Sequence, residues 1–371
     1  MTPNIRKASG SLLIVGIGGT VLSGLERSWL KLVQPAGIIL FKRNIVDATQ
    51  TRELLSEATK LCSANSIRCV DVEGGTVDRL RDALAAIPSA QAVVLASRVT
   101  GQTNLSLVHG ELVARAVKAF GFNTTLAPVL DLALPVSTKV LGIRAAAPTA
   151  LGVVDYARGF LAGLAQHGVV GCGKHFPGLG GGSLDSHIET PTIHRTMREL
   201  NRQDLVPYRE LGSELPMIMV NHAAYPKTPG KGCPASASSY WITTVLRQRL
   251  GYRGIIFSDD MEMGGILKFM PIEEAAITAI RAGMDLIEIC HSPELILRAY
   301  ESLIAEAERS ASFRTLLIAR ARKTARMCSK LFTSGTSAAL SIKQFEALRS
   351  RILRFADAIK KVQPIIEDHS A

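Results

Sequence analysis

The stretch Gly254-Ile255-Ile256-Phe257-Ser258-Asp259 shows in six residues the pattern that decides the fold: a short apolar run that ends in a polar side chain. Runs of this length with adjacent apolar residues are apolar on both faces, which is typical of buried parallel strands. Seven more runs of this kind occur, at residues 12–17, 37–41, 67–72, 122–130, 169–176, 217–222 and 284–289. The chain therefore presents eight candidate core strands.

Amphipathic segments with helical spacing separate these runs, at residues 50–62, 109–120, 150–167, 196–211, 238–250 and 273–282. Alternation of strand and helix predicts the α/β class, and eight such units favour a closed (β/α)8 TIM barrel. An open doubly wound sheet is the alternative, but no Gly-x-Gly-x-x-Gly turn follows an early strand.

Three further helical segments follow the eighth run, at residues 293–307, 312–331 and 342–362. We expect them to wrap the barrel or to project from it, because no second set of core strands remains. Residues 334–337, Ser-Gly-Thr-Ser, have the composition of a linker. The predicted division is a catalytic barrel domain at residues 1–333 and a C-terminal helical extension at residues 334–371.

The composition bounds the possible partners. Aromatic residues make up 5% of the chain, which leaves little material for a surface on which nucleic-acid bases could stack. Much of the net charge of +11 falls in the last quarter at helical spacing, so we interpret it as a solvated helix face rather than a nucleic-acid site. The basic residues with this helical spacing are Arg314, Arg320, Arg322, Lys323, Arg326 and Lys330.

The cysteines and the apolar runs bear on the compartment. The six cysteines include no Cys-x-x-Cys pair, which favours buried free thiols in a reducing compartment over a zinc site or a disulfide framework. The run at residues 12–17 is short and is followed closely by glycines, so we interpret it as the first strand and not as a signal peptide. No run reaches the length of a membrane span. We expect a cytoplasmic monomer without a metal ion, a cofactor or a membrane contact.

Polar side chains end five of the eight runs. A barrel of this type brings the C-terminal ends of its strands to one face, where catalytic groups are placed. Each polar residue taken alone could be a helix cap or a satisfied core residue. Together on one rim they indicate a functional site, formed by Asp71, Asp131, Lys174, His175, Asn221, His222, Asp259 and Asp260.

The loop after the fifth run carries two further candidates. Residues 174–187 read Lys-His-Phe-Pro-Gly-Leu-Gly-Gly-Gly-Ser-Leu-Asp-Ser-His. In an extended backbone Asp185 and His187 would point to the same side, and a carboxylate beside an imidazole suits a general acid/base. On spacing alone, the simpler interpretation of a helix-capping Asp185 and an exposed His187 is favoured.

These strings resemble the family 3 glycoside hydrolases, and in particular the single-domain β-N-acetylglucosaminidases of bacterial cell-wall recycling. The resemblance extends from about residue 12 to about residue 330. The motifs that carry it are Gly37-Ile-Ile-Leu-Phe41 with Arg43-Asn44, Asp71-Val-Glu-Gly-Gly75 with Arg79, Ala127-Pro-Val-Leu-Asp131, Gly142-Ile-Arg144, Lys174-His-Phe-Pro-Gly178, Asp185-Ser-His187 and Phe257-Ser-Asp-Asp-Met261.

The resemblance implies a role for each matching residue. Asp259 would be the nucleophile of a retaining reaction, and His187 would be the acid/base, oriented by Asp185. An oxocarbenium-like transition state needs an anion below it and a proton donor at the leaving oxygen, so this pairing is chemically coherent. Asp260 would be a helix-start or supporting carboxylate, and Asp131 would support the pocket. The sugar-binding residues would be Asp71, Arg79, Arg144, Lys174 and His175, with His222 as either a sugar contact or a structural residue.

The implied substrate is terminal β-linked N-acetylglucosamine on muropeptides or chitooligosaccharides. A phosphorylase of the same family and a catalytically weak sugar-binding protein are the alternatives. The second alternative arises because the chain departs from the family pattern at Val72, at Thr76, at Leu179 (where His is usual) and at Gly181-Gly182. We expect the glycine-rich loop to be mobile without ligand and to close over the sugar, and Leu179→His to raise kcat.

Overall fold

A computed structural model describes residues 4–182, 191–332 and 338–362. Eight parallel strands close into a barrel in which each strand pairs with the barrel strands before and after it in the chain, and the last pairs with the first. The barrel strands are β1 (Leu13–Gly16), β2 (Gly37–Leu40), β3 (Ile67–Val70), β6 (Thr124–Thr125), β7 (Val170–Phe176), β8 (Met217–Val220), β9 (Ile255–Asp260) and β10 (Leu286–Ile289). This architecture confirms the predicted TIM barrel.

A two-stranded antiparallel hairpin, β4 (Val72–Gly74) and β5 (Val77–Asp78), follows β3 at the C-terminal end of the barrel. The α-helices are α1 (Ile5–Gly10), α2 (Gly24–Val33), α3 (Ala48–Thr59), α4 (Ala90–Thr100), α5 (Leu105–Ala119), α6 (Ala150–Gln166), α7 (Met197–Arg202), α8 (Val206–Glu210), α9 (Gly264–Leu267), α10 (Ile272–Ala282), α11 (Pro293–Arg309), α12 (Ala311–Leu331) and α13 (Ile342–Val362). A π-helix occupies Tyr240–Arg249.

Burial on both faces explains why the strand sequences do not alternate. All four residues of β1, β2, β8 and β10 are buried, as the apolar runs predicted. Close strand packing also selects glycine at one position, since a Cβ on Gly16 would lie 1.8 Å from the carbonyl oxygen of Cys290. Polar caps begin many of the helices: the side chain of Ser23 accepts from the Glu26 N–H at 3.1 Å, and that of Asp47 accepts from Gln50 at 2.8 Å.

Two predicted elements differ from the observed ones, and proline is involved in both. The fourth run, residues 122–130, contains only the two-residue strand β6, because Pro128 has no N–H with which to continue a ladder. The chain beyond it still bonds to β7: Cys172 and Lys174 donate to the carbonyls of Ala127 and Pro128 at 2.8 and 3.2 Å, and Leu130 donates to the carbonyl of Lys174 at 2.6 Å. The predicted helix at residues 196–211 is two short helices, and Pro207 lies in the first turn of the second, where a missing N–H is tolerated.

The C-terminal helices pack against the barrel's outer layer. Buried side chains of α13, among them Leu348 and Ile352, join the same apolar core as the barrel helices. On α13, Arg351 forms a two-bond ion pair with Glu111 on α5, at 2.7 and 2.8 Å. The predicted domain boundary falls within residues 333–337, which lie outside the described residues, so this division stays a prediction.

The basic residues of α12 only partly fit the interpretation as a solvated face. Arg322, Arg326 and Lys330 are exposed as expected. Lys323, in contrast, donates to the fully buried Asp285 at 2.8 Å, and Arg320 lies 3.5 Å from the same carboxylate. Part of the basic charge therefore fixes α12 to the start of β10.

Two remaining points concern the cysteines and the helices. None of the six cysteines forms a disulfide, and four of them are buried. Within the described ranges, no helix has both the length and the apolar content needed to cross a bilayer.

Candidate active site

A cleft of about 400 Å³ opens at the C-terminal end of the barrel, where the sequence predicted a site. It brings together predicted residues that are separated by as many as 188 positions in the chain, from Asp71 to Asp259. The polar and charged residues that line it are Lys42, Arg43, Asp71, Arg79, Arg144, Lys174, His175, Asp259, Asp260, Glu288 and His291. Asp71, Arg79, Arg144, Lys174, His175 and Asp259 thus share one cavity.

A buried ion cluster forms one wall of the cleft. The Nζ atom of Lys174, at the end of β7, lies 2.8 Å from Asp71 Oδ1 and 2.6 Å from Glu73 Oε1. Arg144, in the short 3-10 helix Gly142–Arg144, donates two hydrogen bonds of 2.8 Å to the Glu73 carboxylate. Each cation therefore faces at least one carboxylate, which is the condition for keeping buried charges ionised.

The pKa shifts in this cluster follow from that pairing. Burial raises the pKa of Glu73, but the charges of Arg144 and Lys174 outweigh burial and hold it far below its ordinary value. Burial lowers the pKa of Lys174 and of Arg144, yet the neighbouring carboxylates raise both above their ordinary values. All three groups stay charged across the physiological pH range.

His175 is oriented by its neighbours on both sides of the ring. Its Nδ1 atom lies 2.6 Å from Asp131 Oδ2, and its Nε2 atom lies 3.4 Å from Arg144 Nη2. Because Arg144 can only donate, these contacts favour a ring proton on Nδ1, directed at Asp131. The second oxygen of Asp131 accepts from the backbone N–H of Leu179 at 2.7 Å. Asp131 thus fixes both a cleft residue and the following loop.

Asp259 lies near the end of β9 and is half-buried in the cleft. Its Oδ1 atom accepts from the N–H of Asp260 at 3.0 Å. Burial raises the pKa of Asp259, but His175, His222, the Asp260 N–H and Lys174 outweigh burial and leave it below its ordinary value. The carboxylate is therefore ionised at neutral pH, as a nucleophile at an anomeric carbon must be.

Asp260 also lines the cleft, but the backbone engages its carboxylate. Its Oδ1 atom accepts from the N–H groups of Glu262 at 3.0 Å and Cys290 at 3.2 Å. No helix begins there, since α9 starts at Gly264, so of the two predicted roles only the supporting carboxylate fits. Burial, together with the charges of Glu262 and Asp259, raises the pKa of the Asp260 carboxyl to about 7.

The cleft rim is basic and aromatic. Arg43 lies over the ring of Phe41, 4.8 Å from its centroid, and Arg79 lies 5.9 Å from the same ring. His291 packs on Phe41 with ring centroids 5.0 Å apart. The Nη2 atom of Arg79 lies 3.9 Å from Asp71 Oδ2, so Arg79 reaches from the rim towards the ion cluster.

His222 does not occupy the position expected of a sugar contact. Its ring is fully buried and is not part of the cleft wall. Nε2 donates to the carbonyl of Asp260 at 2.9 Å, and Nδ1 lies 2.7 Å from the hydroxyl of Ser236. This geometry fits the structural alternative, in which His222 positions the backbone beside Asp259, while a direct contact with the sugar stays a prediction.

The described part of the glycine-rich loop is packed rather than open. Leu179 is 5% exposed and belongs to the apolar core, so its side chain does not occupy the place of a polar contact to the sugar. A Cβ on Gly180 would lie 2.8 Å from the carbonyl oxygen of Leu132. The glycine there permits close packing, contrary to the expectation that it supplies freedom. Asp185 and His187 lie outside the described residues.

Sequence reasoning missed three of the charged or polar cleft residues, Lys42, Glu288 and His291, of which Glu288 is the buried one. Glu288, on β10, lines the cleft floor and is 2% exposed. The available signal was that Glu288, like Asp285, is a carboxylate inside the apolar run at residues 284–289. Glu73 was quoted within a motif but not proposed as a site residue, although it neutralises both Lys174 and Arg144.

The chain is similar to proteins of one known family. Residues 7–318 match the family described as the glycosyl hydrolase family 3 N terminal domain. A beta-hexosaminidase from Alkalilimnicola ehrlichii is 38% identical over 287 residues, which cover 76% of this chain and 82% of that protein.

Two solved structures are similar over most of the chain. NagZ from Neisseria gonorrhoeae aligns with a TM-score of 0.79 at 28% identity, covering 96% of this chain and 100% of that one. A glycoside hydrolase family 3 beta-N-acetylglucosaminidase from Paenibacillus sp. str. FPU-7 aligns with a TM-score of 0.84 at 27% identity, covering 95% of this chain and 68% of that one.

Proposed function

We propose that this chain, which belongs to glycosyl hydrolase family 3 and is a β-N-acetylhexosaminidase, removes terminal non-reducing β-linked N-acetylglucosamine by a retaining mechanism. The natural substrates in this proposal are peptidoglycan-derived muropeptides or chitooligosaccharides. The observation that carries it is the position of the ionised Asp259 in the same cleft as five groups that suit sugar hydroxyls.

The cleft wall suits a pyranose ring. Asp71 offers carboxylate oxygens, while Lys174, Arg79 and Arg144 offer charged N–H donors. A sugar hydroxyl both donates and accepts, so neighbouring hydroxyls can bridge such donors and acceptors with charge-assisted hydrogen bonds. The ion cluster holds these groups in place before substrate arrives, which reduces the cost of ordering them on binding.

The chemical step divides into two displacements. The Asp259 carboxylate attacks the anomeric carbon while the bond to the aglycone oxygen breaks, and that oxygen takes its proton from His187. In the second displacement, water attacks the same carbon, gives its proton to His187 and releases Asp259 as carboxylate. Asp185 would orient the imidazole and stabilise its protonated form. The dyad rests on the family motif, since it lies outside the described residues.

The cellular setting belongs to the same proposal. Six unpaired cysteines, four of them buried, fit a reducing compartment, so we place the enzyme in the cytoplasm. We propose a monomer, which size-exclusion chromatography with light scattering would check against a mass of 39.8 kDa.

Aryl glycosides test the reaction. Aryl β-N-acetylglucosaminide should be hydrolysed, and the matched aryl β-glucoside, which lacks the acetamido group, should react far more slowly. Proton NMR during the first turnovers should show the β-anomer as the initial product, because two displacements retain configuration. An initial α-anomer would contradict the covalent mechanism. A rate that depends on phosphate, with a glycosyl phosphate product, would favour the phosphorylase, and absence of turnover would favour the sugar-binding protein.

A further inference from the structure

The carboxyl group of Glu288 is unusual because it lies in the interior of the barrel. Along β10, Leu286 and Cys290 belong to the apolar cluster that fills the barrel interior. Glu288 lies two residues from each of them, and residues two apart in a strand point to the same face. It borders the cleft together with Asp71, Lys174 and Asp259. Its side chain therefore forms the floor on which a ligand would sit.

The hydrogen bonds of Glu288 are satisfied along its backbone but not at its side chain. Its N–H donates to the hydroxyl of Ser258 at 3.0 Å, and its carbonyl accepts from Met261 at 2.8 Å. The Oε1 atom is buried and has no hydrogen-bond partner among the described residues. Buried polar atoms are nearly always paired in folded proteins, so an unpaired one that borders a cleft indicates a group reserved for a ligand.

The nearby cation does not serve as this partner. Lys174 borders the same cavity, but its Nζ atom lies against Asp71 and Glu73. Burial, reinforced by the charges of Asp260, Asp71 and Asp259, raises the pKa of Glu288 well above its ordinary value. This shift favours the neutral carboxylic acid, which offers one O–H donor and one carbonyl acceptor. A neutral acid also adds no negative charge beside Asp259.

We propose that Glu288 is a specificity-determining residue that hydrogen-bonds a hydroxyl of the bound sugar from the floor of the cleft. The inference rests on the proposed function, because it places a sugar ring above Asp259. A hydroxyl complements a carboxylic acid, since each partner can donate one bond and accept another. An apolar residue at this position would leave that hydroxyl buried and unpaired, which disfavours binding.

Single-hydroxyl analogues test this contact. The substrates are an aryl β-N-acetylglucosaminide and its 3-deoxy, 4-deoxy and 6-deoxy forms, each measured as kcat/KM with wild type, Glu288→Leu and Glu288→Gln. Glu288→Leu should lose about 10-fold on the full substrate, and the loss should disappear for the one analogue that lacks the contacted hydroxyl. Glu288→Gln, which keeps a neutral donor and acceptor, should stay within about 3-fold of wild type and preserve the analogue pattern.

Leu286→Ala serves as the matched control on the same strand, because it perturbs the core below the cleft without touching the ligand. It should change kcat/KM by the same factor for every substrate. A Glu288→Leu loss that is uniform across the four substrates, or no loss, would overturn the contact. If Glu288→Leu does not fold, Glu288→Met, which also lacks a donor and an acceptor at this place, is measured instead, and a loss that is uniform across the four substrates would overturn the contact equally. Failure of wild type to cleave the full substrate would instead count against the proposed function.

Discussion

Asp259 and Asp260 are adjacent at the end of β9, yet the pKa values of their carboxyl groups move in opposite directions. Burial raises both, but His175, His222 and Lys174 outweigh it at Asp259. At Asp260, the charges of Glu262 and Asp259 add to burial instead. The two carboxylates therefore differ in protonation near neutral pH, which separates a nucleophile from a supporting group.

Removal of Asp259 should abolish the covalent step. We expect Asp259→Ala to keep the fold and to lower kcat by roughly three or more orders of magnitude, because no other side chain would form the glycosyl-enzyme. A fluorinated N-acetylglucosaminide that slows the second displacement should add its mass to the peptide containing Asp259. Asp260→Asn is the matched control, and its Asp259 should still be labelled. A label on Asp260 in wild type would reverse the assignment.

Asp260 should make stability depend on pH. Its pKa is raised to about 7 in the folded chain, against about 3.9 when unfolded. Its stabilising contribution is therefore complete below pH 4 and decreases as the pH rises to 7, with a slope of at most about 1.4 kcal/mol per pH unit. In urea unfolding, the stability of wild type relative to Asp260→Asn should fall over that range and then level off. A difference between wild type and Asp260→Asn that stays flat over this range would refute the prediction.

Glu73 should matter for stability and for sugar binding at once. Glu73→Gln leaves Lys174 and Arg144 buried with one carboxylate fewer, which should cost about 3–5 kcal/mol of unfolding free energy. Denaturant unfolding would measure this change, and KM should rise because both cations lose their orientation. The half-exposed pair of Glu214 with Arg158 supplies the control, since Glu214→Gln should cost less than about 1 kcal/mol. Equal effects of the two substitutions would show that the ion cluster is not structural.

The predicted dyad should reveal itself through the leaving group. His187→Ala should lose far more rate on alkyl or sugar leaving groups than on activated aryl groups, which scarcely need protonation. Asp185→Ala should show the same pattern more weakly. The exposed His194→Ala provides a control in the same region of the chain. Wild-type rates of both dyad variants on poor leaving groups would eliminate the proposal.

The buried position of Leu179 changes what its replacement should do. Leu179→His would bury an imidazole in an apolar site, and we expect a loss of about 1–3 kcal/mol in unfolding free energy with no gain in kcat. Leu179→Met, which preserves volume, should cost less than about 1.5 kcal/mol. Thermal and urea unfolding of the three proteins would measure this. A faster and equally stable His variant would restore the original expectation that a polar residue closes the loop.

The sequence was sufficient to predict the barrel, because few other folds would bury eight apolar runs of this kind. It also located the cleft residues, since the C-terminal ends of parallel strands meet at one face whatever their separation in the chain. Asp71, Lys174 and Asp259 were found in this way. Asn221 and His222 are also consecutive polar residues at a strand end, but the ring of His222 is buried. Polarity alone does not distinguish a side chain that faces a cleft from one that faces a neighbouring element.

Close packing was the other property that composition could not reveal. The glycines after Pro177 suggested freedom, whereas Gly180 lies against the backbone of Leu132 and has no room for a side chain. Glu288 was overlooked because a carboxylate inside an apolar run has no periodic signature. Its importance in the cleft depends on the unpaired Oε1 atom. The sequence around Glu288 does not show whether this atom is paired, because hydrogen-bond partners come from distant segments of the chain.

The ion pair between Arg351 and Glu111 joins positions 240 residues apart. Around it, Phe345 lies 6.1 Å from Phe120, and Phe355 lies 6.2 Å from His109, measured between ring centroids. Because a ribosome makes α5 long before α13, the surface of α5 that receives these rings has no cover while the barrel is being synthesised. The nascent chain must keep this apolar patch from other molecules until α13 emerges, so chaperone demand during translation should centre on α5.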